Sequence, residues 1–235
     1  MSERDNNRDF RNRIRNDIDL ASYIDAAVLK TETSASDIEK LCAEAIEYHY
    51  KAIFINPTYT AMCAQLLRGS GVRLGSVAGF PLGATTTEVK IFEGQESENH
   101  GAEEIDMVAN VGAIKSGNWA VYEKDIAGVR NALSRQTTLK VILECTLLSR
   151  EEKITAATIA ADCGVDFVKT STGMFGQATV EDVALLFETV GNRIAVKASG
   201  GIRNLPQALA MIEAGASRIG TSSGVAIIAE LRNRS

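Results

Sequence analysis

Residues 139–201 read LKVILECTLLSREEKITAATIAADCGVDFVKTSTGMFGQATVEDVALLFETVGNRIAVKASGG, and one pattern recurs through them. A short β-branched run, Leu139–Glu144, is followed by residues at helical spacing over Glu151–Cys163. A second run, Phe167–Lys169, leads into a second helical pattern at Val180–Val190, and a third run follows at Arg193–Lys197. Strand and helix periods alternate here, as they do in a parallel sheet whose crossovers are helices. The punctuation agrees. Ser149 precedes Glu152 and Thr179 precedes Asp182, each an N-cap with an acid in the first turn. Gly164 and Gly191 lie just past the helix ends, where a left-handed residue stops a helix.

The pattern extends in both directions. Further strands are expected at Tyr23–Val28, Ala52–Asn56, Arg73–Ala78, Glu104–Val108 and Arg218–Gly220. Further helices are expected at Ser36–Tyr48, capped by Ser36 with Glu39, and at Thr85–Asn99, Trp119–Leu133 and Leu205–Glu213, with Gly215 past the last. Eight strand-then-helix units predict an α/β chain folded as a closed (β/α)8 TIM barrel. A doubly wound sheet is the alternative, but its glycine-rich first turn is missing from Leu29–Ala35. Residues 1–22 read as an N-terminal extension, disordered over about the first eight residues and helical from about Asp9 to Ala21. Residues 23–235 read as a single barrel domain.

Composition narrows the classes. The 235 residues are 45 % hydrophobic and carry a net charge of −5, which argues against a nucleic-acid partner. No apolar run approaches the length of a membrane span, and the N-terminus lacks a secretory apolar core. Cys42, Cys63, Cys145 and Cys163 form no C-x-x-C pair and fit a reducing cytoplasm. With only His49 and His100, a His-rich catalytic zinc site cannot readily be built, and neither metal nor cofactor is expected.

In such barrels chemistry sits at the C-terminal strand ends. There, alternation points Asp106, Lys140, Lys169 and Lys197 into the interior. Buried ammonium groups are costly, and the same desolvation pulls a lysine toward the neutral amine that attacks carbonyls. Lys169 and Lys197 on neighbouring strands supply a nucleophile and a nearby cation, and Asp106 and Lys140 supply proton donors and acceptors. Glu144 reads as an ion-pair partner. An isolated strand-end lysine would instead be a solvated surface residue; the grouping favours chemistry. Two loops, Ser199–Arg203 after strand seven and Gly220–Gly224 after strand eight, are rich in glycine and hydroxyl groups, as a phosphate cradle requires. Gly79–Gly83 reads as a shaped loop over the site, while Trp119, Met107 and Met174 are expected to pack or line the mouth.

At these residues the sequence resembles the deoxyribose-phosphate aldolase family. GFPLGATTTEVK, GAEEIDMVANVGAIKSG, LKVILE, DFVKTSTG, VKASGGIR and RIGTSSGVAI carry the resemblance, which spans about Ile24 to Ile228. It implies a metal-free class I aldolase that cleaves 2-deoxy-D-ribose 5-phosphate reversibly to acetaldehyde and D-glyceraldehyde 3-phosphate. It further implies Lys169 as the Schiff-base lysine, Lys197 as the second lysine, and Asp106 as the proton relay with Lys140 beside it. The implied phosphate contacts are Thr172, Gly173, Gly200, Gly201, Gly220, Ser222 and Ser223. The partners expected are therefore a phosphorylated sugar and aldehydes, with a homodimer the common assembly of such barrels. Three positions depart from the family pattern. The His and Thr of its first strand are Ala26 and Ala27, and a cysteine frequent on its second strand is Phe54. These departures motivate one alternative, a Schiff-base aldolase of altered donor or acceptor; a phosphosugar-binding barrel without turnover is a second, against which Asp106, Lys169 and Lys197 argue.

Overall fold

A computed structural model describes Ile14 and residues 16–233. A short helix α1 (Asp17–Ala21) precedes β1 (Ile24–Val28), α2 (Ala35–Glu47), β2 (Ala52–Ile55), α3 (Thr60–Leu66), β3 (Arg73–Ala78) and α4 (Thr87–Asn99). Then follow β4 (Glu104–Val108), α5 (Val111–Lys115), α6 (Trp119–Ala132), β5 (Thr138–Ile142), α7 (Arg150–Asp162), β6 (Phe167–Lys169) and α8 (Val180–Val190). The chain ends with β7 (Ala195–Ser199), α9 (Leu205–Glu213), β8 (Arg218–Thr221) and α10 (Gly224–Arg232). All eight expected strands form; they are parallel, and β1 closes on β8.

Alternation along the strands separates two interiors. Ile53, Leu74, Ile105, Met107, Leu139, Val141, Val168, Val196 and Ile219 face the helices and belong to the apolar core. Each such buried aliphatic side chain contributes about 1.5–3 kcal/mol. Residues one step away face the barrel axis, and many are charged: Asp25, Glu104, Asp106, Lys140, Lys169, Lys197 and Arg218 are all buried. Met107 is thus part of the outer core and does not line the mouth.

Several boundaries differ from the sequence expectation. Helix α2 begins one turn-edge earlier, capped by Ser34 with Asp37 in a reciprocal capping box rather than by Ser36 with Glu39. Strand β5 ends at Ile142 because Glu144 adopts φ 58°, a left-handed conformation no strand residue holds. Strand β7 starts at Ala195 and runs to Ser199. Helix α1 starts only at Asp17, where the Asn16 side chain accepts from Asp19 N–H; the expected helical residues 9–13 lie outside the described residues. The caps of α7 and α8 are as expected, Ser149 with Glu152 and Thr179 with Asp182. Among the described residues no helix is long and apolar enough to cross a membrane.

One glycine shapes the barrel interior. A Cβ on Gly75 would lie 2.3 Å from the ring of Phe54, its register partner on β2. The ring fills that space, is fully buried, and lies 3.5 Å (ring centroid) beneath Lys197 Nζ. Gly75→Ala is therefore expected to lower stability by about 1–3 kcal/mol through overpacking, read as a lower urea midpoint. An unchanged midpoint would show that the ring can move aside.

Candidate active site

The four inward groups expected from alternation converge. Asp106 Oδ2 accepts from Lys169 Nζ and from Lys197 Nζ, both at 2.8 Å, and Asp106 Oδ1 lies 3.3 Å from Lys140 Nζ. Register places them there: Asp106 pairs with Lys140, and Lys169 with Lys197. Thr170 fastens the two lysine strands at their ends, its hydroxyl donating to Ser199 carbonyl at 2.9 Å and accepting from Ser199 N–H at 3.0 Å.

A second layer of charge, which the sequence reading passed over, completes the arrangement. Lys197 Nζ lies 2.7 Å from Asp25 Oδ2, and Arg218 Nε donates to Asp25 Oδ1 at 2.6 Å. Arg218 Nη2 donates to Glu104 Oε2 at 3.0 Å, and the same carboxylate accepts a short bond from Lys140. Asp106, Lys197, Asp25, Arg218, Glu104 and Lys140 thus form a closed circuit of alternating sign, with Lys169 attached to it through Asp106. Two links, Lys197 to Asp25 and Lys140 to Asp106, are ionic contacts rather than aligned hydrogen bonds. Glu104 was legible by the rule that found Asp106, being two residues earlier on the same strand face.

The electrostatics set Lys169 and Lys197 apart. For Lys169, burial disfavours the charged form; the Asp106 carboxylate opposes this, and the Lys197 and Lys140 ammonium groups add to it. The result is a pKa lowered to about 8. For Lys197, burial is overcome by Asp106 and Asp25 together, and its pKa is raised. Burial also works against the Asp106 carboxylate, yet the lysines around it hold it well below the usual carboxylate range. Lys169 is therefore the group ready to lose a proton, and Lys197 the one held charged. Burial contributes more to the depression than the neighbouring ammonium groups of Lys197 and Lys140.

Among the described residues Glu144 makes no ion pair, contrary to the expectation. Its left-handed backbone turns the carboxylate toward the loop after β6, where it accepts from Thr172 N–H at 3.0 Å and from the Thr172 hydroxyl at 2.5 Å. Thr172 is thereby committed to Glu144. Gly173 faces Gly200 across a 3.7 Å gap measured from a Cβ built on Gly173, and Gly201 at φ 75° packs on the Gln177 side chain. A Cβ on Gly220 would meet Ser199 Oγ at 1.9 Å. Ser223 N–H is bonded to Thr221 Oγ1 at 2.9 Å, just ahead of α10. Ser222 borders a cavity of about 500 Å³ that also touches Ala26, Ala27, Tyr50 and Gly224. The Gly79–Gly83 loop is fastened, Gly79 N–H to Glu93 at 2.6 Å and Gly83 N–H to Gly79 carbonyl at 2.7 Å. His49 follows α2 and His100 caps α4, both at helix ends. Trp119 packs edge-on against Tyr122, and Met174 is half exposed on the loop after β6.

A lysine brought toward neutrality inside a barrel, donating to a buried carboxylate, is the equipment of a carbonyl-attacking enzyme. The family model of the DeoC/LacD family aldolases matches residues 20–230. The chain is a DeoC/LacD family aldolase. This DeoC/LacD aldolase is 52 % identical over 213 residues to the deoxyribose-phosphate aldolase of Exiguobacterium sibiricum, spanning 90 % of this chain and 96 % of that protein. To that of Staphylococcus carnosus it is 49 % identical over 219 residues, spanning 93 % and 99 %. Among solved structures, the tetrameric deoxyribose phosphate aldolase of Aeropyrum pernix superposes with a TM-score of 0.90 at 33 % identity over the full length of both chains.

Proposed function

We propose that this aldolase cleaves 2-deoxy-D-ribose 5-phosphate reversibly to acetaldehyde and D-glyceraldehyde 3-phosphate through an imine on Lys169. The observation that carries the mechanism is the Lys169 amine, 2.8 Å from Asp106 Oδ2 and with its pKa lowered to about 8. The relatives' names supply the substrate. The neutral amine adds to the substrate aldehyde, and uptake of one proton with loss of water gives the iminium. Deprotonation of the C3 hydroxyl breaks the C2–C3 bond, releasing glyceraldehyde 3-phosphate and leaving an enamine. Protonation of the enamine and hydrolysis of the imine release acetaldehyde. Asp106 exchanges protons at Lys169, with Lys197 and Lys140 on its two oxygens as the neighbouring proton carriers. No metal or cofactor is required by these steps.

Borohydride trapping with acetaldehyde, followed by peptide mapping, tests this directly. A two-carbon adduct on Lys169 is expected. An adduct on another lysine, or none on folded enzyme, overturns the assignment.

We assign the substrate phosphate to the glycine-lined loops after β6 and β7 and to Ser222 and Ser223 ahead of α10. The double variant Ser222→Ala with Ser223→Ala is expected to raise KM for the phosphorylated sugar about tenfold or more, since bonds to charged groups contribute about 1.5–3 kcal/mol each. Unphosphorylated 2-deoxyribose should be nearly unaffected; equal losses on both substrates contradict the assignment. Ala26, Ala27 and Phe54, which stand where the family pattern has other residues, favour a second reading, the same imine chemistry with a different acceptor aldehyde, which a panel of acceptors in the synthetic direction separates from the first. Cytoplasmic location and a homodimer complete the proposal.

A further inference from the structure

We propose that Arg218 is a positioning residue for the amine chemistry: by joining Asp25 to Glu104 it closes a self-neutral circuit of three cations and three carboxylates, which leaves Lys169 as the surplus cation and so as the lysine that gives up its proton. The inference rests on Lys169 being the Schiff-base residue.

Seven buried charged side chains face the barrel axis. Strand β1 supplies Asp25, β4 supplies Glu104 and Asp106, β5 Lys140, β6 Lys169, β7 Lys197 and β8 Arg218. Strand β2 supplies the uncharged ring of Phe54, which lies under Lys197 and Lys140. Strand β3 supplies Arg73, which is part-exposed, touches Glu104 Oε1 at 3.3 Å, and is matched by Glu103 at 3.6 Å. Glu144 turns away to Thr172 and makes no ion pair among the described residues. Within the circuit every carboxylate touches two of its cations, and every cation touches two carboxylates. Lys169 alone touches one carboxylate, and that carboxylate is already shared by Lys197 and Lys140.

Charge in a poorly solvated interior is tolerated only when compensated. With Lys169 neutral the circuit sums to zero. With Lys169 protonated the same interior carries one uncompensated positive charge. Arg218 is the member best suited to hold this balance fixed, because a guanidinium does not deprotonate in proteins and its fork can hold two carboxylates at once. It lies one layer below the amine and is separated from it by Asp25 and Lys197, so it acts through those groups and not on the substrate.

Three variants test this through the pH dependence of Lys169 trapping by borohydride and the acid limb of kcat/KM. In the wild-type enzyme both are expected near pH 8, because only the neutral amine attacks. Arg218→Met removes a positive charge, stabilises the Lys169 ammonium, and should move both midpoints up by roughly one unit. Glu104→Gln removes a negative charge and should move them down by a similar amount. Arg218→Lys keeps the charge and loses the fork, so it should lower the rate while leaving the midpoint within a few tenths of a unit. A residue that merely held the fold together would reduce rate and stability without shifts of opposite sign. The proposal is overturned if Arg218→Met keeps the wild-type midpoint, or if it and Glu104→Gln shift in the same direction. Should Arg218→Met fail to fold, the Glu104→Gln midpoint decides alone, and the absence of a downward shift overturns the proposal. Absence of any wild-type adduct on Lys169 is a separate result, which removes the Schiff-base assignment before the variants are compared.

Discussion

Lys169→Leu is expected to lose imine formation altogether and to lower turnover by about four orders of magnitude or more, since no other group can replace a deleted covalent nucleophile. Its stability should move the other way. The substitution removes an ammonium on the barrel axis that lies outside the neutral circuit, and replacing a poorly compensated buried charge by an apolar side chain of similar size is neutral or stabilising. The urea midpoint at pH 7 should therefore stay where it is or rise. A variant that is inactive because it is unfolded would show a collapsed midpoint, so the two measurements together separate chemistry from folding. Residual turnover within tenfold of wild type would mean that a different lysine carries the reaction.

Asp106→Asn reverses the balance. The shape of the side chain is kept, but three buried ammonium groups lose the carboxylate they share. Breaking a buried ion pair by removing one partner costs about 3–5 kcal/mol, and loss of a positioned proton carrier lowers kcat by about 10² to 10⁴. The sign of the pH dependence follows from the wild-type carboxylate. Its folded pKa lies below its unfolded value, so its contribution is complete above about pH 4 and disappears only as the pH falls through the folded value. The stability gap between wild type and variant should be full at pH 7 and narrow only in strong acid. The variant itself should recover stability toward alkaline pH as lysines shed protons. A gap that is absent at pH 7 would mean that Asp106 is not the shared counter-ion of the site.

Much of this was legible in the sequence because two periods, 2.0 and 3.6, alternate clearly. The strand period alone put Asp106, Lys140, Lys169 and Lys197 on one face, and the structure gathers all four. Asp25 and Arg218 are a different case. They meet only because β1 closes on β8, bringing together residues 193 positions apart, and no local pattern announces such a pair. Glu144 misled for a related reason: it continues the strand alternation in letters while its backbone has already turned left-handed. Ser34 and Ser36 each stand three residues before an acid, so both fit a capping box, and only the geometry of the preceding turn, where Thr33 N–H reaches the Lys30 carbonyl at 3.3 Å, selects the first.

The contact between Phe54 and Gly75 constrains the order in which the two positions can be substituted. The aromatic ring occupies the place where any side chain at position 75 would begin. A small residue at position 54 would leave room for a side chain at 75; with phenylalanine there, that room is filled. The two substitutions have a permitted order, glycine first and phenylalanine second, and the reverse route passes through an overpacked intermediate. Enlarging residue 75 is thus closed until residue 54 is made smaller, and that first step leaves a cavity of its own.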